Sequence, residues 1–269
     1  MGDFWQMFSY GFMIKALIAG ILIAISAALV GVPLVLRKNS MLSDGLSHVA
    51  FGAFAVASVL GLAPLPVALL IVILASFFIL RASENSKIYG DAGIALLSVS
   101  ALAIGTFVVS VSGSNVDINN YLFGSILAIN DLEIWLSVIL CVMVISVYIV
   151  FHNKIFAVTF DEKFARAIGV NTRFYNWIFA ILSSVVVVLG MRLMGALLIS
   201  SLIIFPTLTA RVIFKKFKSV AVASAVIAGL TFLVGLLISY FASAPTGATV
   251  VICSLLVYVL TRIFDKIFS

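Results

Sequence analysis

ALIAGILIAISAALVGVPLVL, residues 16–36, carries no charged side chain and is followed at once by Arg37 and Lys38. A run of this length is long enough to cross a hydrocarbon layer of about 30 Å as a helix. It does not stand alone. Ile134 to Val150 and Val220 to Tyr240 read the same way, within a chain of 269 residues that is 64% hydrophobic and 10% charged, with a mean hydropathy of +1.31. No water-soluble core needs so much apolar surface. A membrane β-barrel would alternate apolar and polar residues over segments of about ten, and these runs do not alternate. The fold class expected is therefore all-α: a polytopic transmembrane helical bundle, because backbone groups in lipid must be satisfied within the segment. Residues 1–269 read as a single membrane domain, with no linker and no soluble second domain. The first run is too long for a cleavable signal peptide and lacks its small-residue site.

Working outward, the candidate spans are 12–36, 43–62, 64–81, 92–112, 132–151, 175–190, 193–211, 219–240 and 246–262. The stretch 175–211 must leave and return in few residues. It fits two short helices with a turn near Gly190, Arg192 and Gly195, which leaves the count at eight or nine. Basic residues follow the odd-numbered spans: Arg37 and Lys38; Arg81 and Lys87; Lys154, Lys163, Arg166 and Arg173; Arg211, Lys215, Lys216 and Lys218; Arg262 and Lys266. The alternate loops hold Asp3, Asp117, Asp131 and Glu133. By the positive-inside rule this puts the N-terminus outside and the C-terminus in the cytoplasm. The net charge of +6 follows from those loops and calls for no nucleic-acid partner. Cys141 and Cys253 lie in apolar segments and read as free buried thiols. Pro33, one turn before Arg37, predicts a kink at the end of the first span.

Against this background one pair of residues stands out. Asp44 and His48 are one helical turn apart at the start of the second span, so on a helix they share a face. Ionisable groups in membrane segments are costly and mark pathways or sites. A carboxylate and an imidazole are good ligands for a divalent first-row metal such as zinc or manganese, and a poor match for Cu(I). One copy offers two ligands. Two copies meeting on a two-fold axis at this helix would offer two Asp and two His, and closed two-fold assemblies are common. A capping role for Asp44 beside a structural histidine is the alternative. The surrounding small residues (Gly45, Ser47, Ala50, Gly52, Ala53, Ala55, Ala57, Ser58) allow close helix approach.

Two further segments carry charge. From Ile204 through Pro206 to Lys218 the chain is apolar up to the proline and then becomes a short basic amphipathic stretch. Such a stretch serves as a membrane-surface anchor or docks in a groove of a soluble partner. Phe160 to Val170 reads as an amphipathic loop helix with Asp161 as N-cap and Gly169 just past its C-terminus. His152 reads as an interfacial residue. No P-loop (G-x-x-x-x-G-K-[ST]) is present, so ATP would have to bind elsewhere, and the His-Glu-x-x-His pattern of zinc proteases is absent. A secondary carrier is the other rival, but inverted repeats are not evident.

Taken together the segments resemble the permease subunits of the ABC importers for zinc, manganese and iron, over nearly the whole chain. Arg37-Lys38-Asn39-Ser40-Met41-Leu42-Ser43-Asp44-Gly45-Leu46-Ser47-His48 is similar to that family's R-x-x-S-x-x-x-D-x-x-S-H signature. Tyr121-Leu122-Phe123-Gly124 resembles its outer-loop LFG element, and Phe160-Asp161 with Ala165 and Gly169 its cytoplasmic element. Gly195 to Arg211 and Pro245-Thr246-Gly247-Ala248 resemble two more, in the family's order. Phe205-Pro206-Thr207-Leu208-Thr209-Ala210 departs from the two alanines that often follow the proline.

The resemblance implies a type II ABC-importer-like permease in the bacterial cytoplasmic membrane, acting as a homodimer. It implies two copies of a separate cytoplasmic ATPase, which would bind the ATP, and an extracellular or periplasmic metal-binding protein that delivers the ion. The chain itself would be no enzyme and would hold no cofactor. Asp44 and His48 would carry the metal. The segment with Pro206, Arg211, Lys215 and Lys216 would couple to the ATPase. Ser200-Ser201-Leu202 and Pro245 to Ala248 look closer to zinc-uptake members, so zinc is the expected ion, with manganese or iron as alternatives. Both ligand types also bind protons, so metal affinity should fall as pH drops.

Overall fold

The structure is a computed structural model that describes residues 11–85, 90–113, 124 and 130–268. The described residues form ten helices and no strand: α1 (Gly11–Leu36), α2 (Met41–Val59), α3 (Pro64–Asn85), α4 (Gly90–Ser112), α5 (Asp131–Phe160), α6 (Glu162–Ala167), α7 (Thr172–Met194), α8 (Ala196–Ile213), α9 (Phe217–Ala242) and α10 (Thr246–Phe268). Eight are long and apolar enough to cross a membrane. A ninth helix, α3, carries the apolar segment Pro64–Leu80. Asp3, Lys87, Asp117 and Tyr121 to Phe123 lie outside the described residues.

The nine expected spans are all helices. Around the stretch 175–211 the chain forms the two expected helices with a tight turn. They are longer than that stretch, 23 and 18 residues over 172–213, and are joined at a single residue, Gly195. Gly195 has φ +87°, a conformation that side chains disfavour, so glycine permits a reversal with no loop.

Local signals set the boundaries. At the start of α5 the Asn130 side chain accepts from the Glu133 amide, and the Glu133 carboxylate accepts from the Asn130 amide, a complete capping box. Asp161 caps α6 by accepting from the Phe164 amide at 2.8 Å, and Gly169 follows that helix with φ +83°. Both were expected from the sequence. The helix α5 runs past the expected end of its span at Phe151, which has non-helical torsions (φ −109°, ψ 15°). Residues beyond that break pack Ile155 and Val158 inward, and Val158 joins Ala165 and Tyr175 in a small cluster that seats α6.

Helix α1 sits at the centre, 78% buried over its span, and packs on α5, α7, α8 and α9. It continues through Pro33 to Leu36, so the proline does not end it. Helix α4 is peripheral, 17% buried, and lies mainly on α2. Small residues draw these two together: a Cβ on Gly52 would stand 2.4 Å from the Ala101 carbonyl oxygen. The close approach expected of the second span is thus made to α4. Cys141 and Cys253 are both free.

Candidate metal site

Helix α2 is buried along most of its length, including Ser43, Gly45, Leu46, Ser47 and Val49. Asp44 and His48 are the exceptions on this turn, with side chains 49% and 31% exposed. Asp44 Oδ2 stands 3.7 Å from His48 Nε2. Two ligands about 2.0–2.2 Å from a tetrahedral zinc lie ~3.4 Å apart, so the pair needs only a small adjustment to share one ion. The helix's N-cap is Ser40, which makes no side-chain capping bond, and Asp44 lies inside the first turn. The capping role is therefore excluded, although a carboxylate there also suits the helix dipole.

Hydroxyls support the turn. Ser47 Oγ donates to the Asp44 carbonyl at 2.7 Å and accepts from Ser200 Oγ of α8 at 3.4 Å. Ser43 Oγ donates to the Ser40 carbonyl. His48 Nδ1 is buried without a hydrogen-bond partner among the described residues. Ligating histidines usually have that second nitrogen fixed by a hydrogen bond; here the nitrogen facing Asp44 has the only ionic neighbour. Among the described residues no three His, Cys, Asp or Glu side chains converge. Among the described residues the Asp44–His48 pair thus offers two side chains where a closed zinc site has four.

The expected coupling segment is built differently from its sequence reading. Pro206 does not begin a separate amphipathic stretch. It is buried in mid-α8, which continues to Ile213, and only Phe214 to Lys216 separate α8 from α9. The reason is packing: Thr207, Thr209 and Ala210 are buried as well, so the helical face continues past the proline. Of the four residues named, Arg211, Lys215 and Lys216 are exposed and Pro206 is not. Phe217 fastens this connector to the α5 extension through ring contacts with Phe156 (5.6 Å) and Phe160 (6.2 Å). Helix α6, which follows α5, exposes Lys163, Phe164 and Arg166, and Ile168 just past its end is exposed too.

Two charged groups escaped the sequence reading. Glu133 is not a loop charge: it is buried, and its Oε1 accepts from Arg192 Nε at 2.6 Å. The Asn130-x-x-Glu133 spacing was the available signal, since it is a helix-start signature. Arg37 is half-buried. Its Nη1 donates to Asn176 Oδ1 (2.8 Å), its Nη2 donates to the Val158 carbonyl (2.9 Å), and its guanidinium lies 5.3 Å over the Phe179 ring. Burial pulls Arg37 below its ordinary pKa, while the Glu162 carboxylate opposes that shift.

Comparison with known proteins now decides the class. The sequence pattern described as the ABC 3 transport family matches residues 9–265. The chain belongs to that family. A relative in Streptococcus gordonii, "Manganese import system permease protein ScaB", is 31% identical over 252 residues, covering 94% of this chain and 91% of the relative. The Haemophilus influenzae "High-affinity zinc uptake system membrane protein ZnuB" is 30% identical over 250 residues, covering 93% and 96%. Among solved structures, "PsaBC from Streptococcus pneumoniae in complex with Fab" matches with a TM-score of 0.86 at 28% identity, covering 97% of this chain and 94% of that one. This ABC 3 member is an integral membrane permease subunit of a metal-ion ABC importer. It is not catalytic, and the ATPase is a separate subunit. Carrier and protease readings fall away.

Proposed function

We propose that this permease passes a divalent first-row metal ion through a pathway on a homodimer axis, with Asp44 and His48 of each copy as its ligands. The observation that carries the reading is the Asp44–His48 pair: the accessible, ionisable turn of an otherwise buried helix. Two copies would supply two carboxylates and two imidazoles, enough for a transient four-ligand site. The site has to release as well as bind, and its ligands compete for protons with the metal.

The basic end, with Arg37, Arg166 and Lys215, is proposed to face the cytoplasm, which leaves the Gly195 turn and the N-terminus outside. The ATPase is proposed to dock on that basic end. The exposed Arg211, Lys215 and Lys216 support this, together with Phe164 (58% exposed) on α6 and Ile168 just past its end. The metal-binding protein would deliver the ion at the opposite face. Transport is then alternating access, with ATP bound only on the partner and no cofactor in this chain.

Zinc is the proposed cargo, on the Ser200-Ser201-Leu202 and Pro245 to Ala248 elements. Manganese is the second reading, favoured by the name of the Streptococcus gordonii relative. Ligand type does not separate them, although intrinsic affinity places zinc above manganese. The test is ATP-dependent uptake of radioactive zinc and of manganese into proteoliposomes. These would hold this chain with its ATPase and binding protein, wild type beside Asp44→Ala. Zinc uptake that requires ATP and is lost in the variant supports the reading. Manganese uptake under the same terms changes the cargo, and undiminished uptake in the variant moves the site.

A further inference from the structure

The basic end holds a half-buried arginine that makes contact with two other elements and reaches a third through an amide. Arg37 follows α1 directly and leads into α2 through a short, tied turn. The Lys38 amide donates to the Val35 carbonyl and the Asn39 amide to the Leu34 carbonyl. The Leu42 amide then donates to the Asn39 carbonyl, and the Ser43 amide and hydroxyl both donate to the Ser40 carbonyl. Lys38 takes a left-handed conformation (φ 62°), which tightens the turn. The chain from Arg37 to Asp44 thus has little slack.

On its other side the guanidinium touches α5 at the Val158 carbonyl and α7 at Asn176 and Phe179. Asn176 turns its amide nitrogen to Glu162 Oε1 of α6 at 3.4 Å, and the same oxygen accepts from Arg166 at 3.3 Å. Arg166 also reaches Thr172 Oγ1 at the start of α7. Arg37 is therefore where the turn that leads into the ion-carrying helix meets the exposed α6 element. A planar five-donor fork can hold an amide oxygen and a carbonyl at once while it lies over a ring; a lysine ammonium is a point charge and cannot reproduce that geometry.

We propose that Arg37 is a positioning residue for transport: displacement of α6 by the ATPase reaches Asp44 and His48 through Glu162, Asn176 and Arg37. The inference rests on the permease reading above. It assigns Arg37 neither to metal binding nor to ATP hydrolysis. Its function is to keep the two in step, and loss of the fork uncouples them. Contiguous contacts alone do not establish energetic coupling, so the test has to measure the coupling.

Wild type, Arg37→Lys, Glu162→Gln and the double variant are reconstituted with the ATPase and the metal-loaded binding protein. ATP hydrolysis and zinc uptake are measured in the same vesicles, and co-purification of the ATPase is quantified. For Arg37→Lys we expect hydrolysis and ATPase association within about twofold of wild type and uptake reduced about tenfold or more, so the ATP consumed per ion rises by that factor. Because neighbours in one chain of contacts are non-additive, the double variant should show the same ratio as Arg37→Lys alone. Three results would overturn the proposal. One is an unchanged ratio. Another is a parallel fall of hydrolysis, association and uptake, which marks a structural role only. The third is multiplication of the two single effects. If wild type itself shows no ATP-dependent uptake, the permease reading fails first and in a different lane of the same experiment.

Discussion

The two ends of the bundle handle buried charge in opposite ways. At the Gly195 end, Glu133 meets Arg192 directly at 2.6 Å, and the other carboxylate oxygen is taken by the cap of α5. Exposed Asp131, two residues before Glu133, pairs with Lys15 of α1 at 2.6 Å. At the basic end, Arg37 meets no carboxylate directly among the described residues; Asn176 stands between it and Glu162. A direct pair with both carboxylate oxygens engaged defines one geometry and clamps α5 to α7. A relay through an amide divides the interaction into weaker, longer steps that can be re-made. The contrast suits a closed reversal at one end and a movable contact at the other.

The contrast can be broken first at its stronger side. Arg192→Met should leave the buried Glu133 carboxylate without its counter-ion; with Arg192 itself 36% exposed, the loss should fall below that of a fully buried pair, about 3–5 kcal/mol. Thermal unfolding of the purified protein in detergent should show it as the largest destabilisation in the set; a change within error would mean that the clamp contributes nothing. Asn176→Leu removes the acceptor of Arg37 and should destabilise by ~1–3 kcal/mol, the desolvation penalty of one unsatisfied buried group. If it equals Arg192→Met, the two ends do not differ in kind. Lys15→Met disturbs a pair whose side chains are 38% and 79% exposed. Exposed pairs contribute roughly 0–1 kcal/mol, so the melting midpoint should hardly move. A large drop there would show that Lys15 supports the Glu133 clamp. Asp44→Asn should move stability least of all, since its carboxylate makes only the 3.7 Å approach to His48, yet it should abolish metal uptake. Retained uptake at equal expression would detach the site from this pair.

Much of the fold was legible because its signal is composition. Long apolar runs have one solution in lipid, and caps such as Asp161 and Gly169 announce helix ends by local chemistry. The shared face of Asp44 and His48 was legible for a related reason: residues four apart on a helix lie one turn apart, and the structure puts them 3.7 Å from each other. The reading failed where packing decides. Pro206 is a local break signal, but the buried face of Thr207, Thr209 and Ala210 carries α8 past it. The turn near Gly195 was legible, but the full length of the two helices was not, because a one-residue reversal depends on a torsion that only the folded chain reveals.

By itself the sequence determined the all-helical membrane class, the alternation of basic and acidic connections and the Asp44–His48 turn. Each of these follows from solvent transfer or from residue spacing within one element. Only the tertiary structure decided which charges are buried and what they meet. Glu133 and Arg192 are 59 positions apart, and Arg37 and Asn176 are 139. No local pattern records such pairings, because they arise when the helices pack and exclude water from the groups between them.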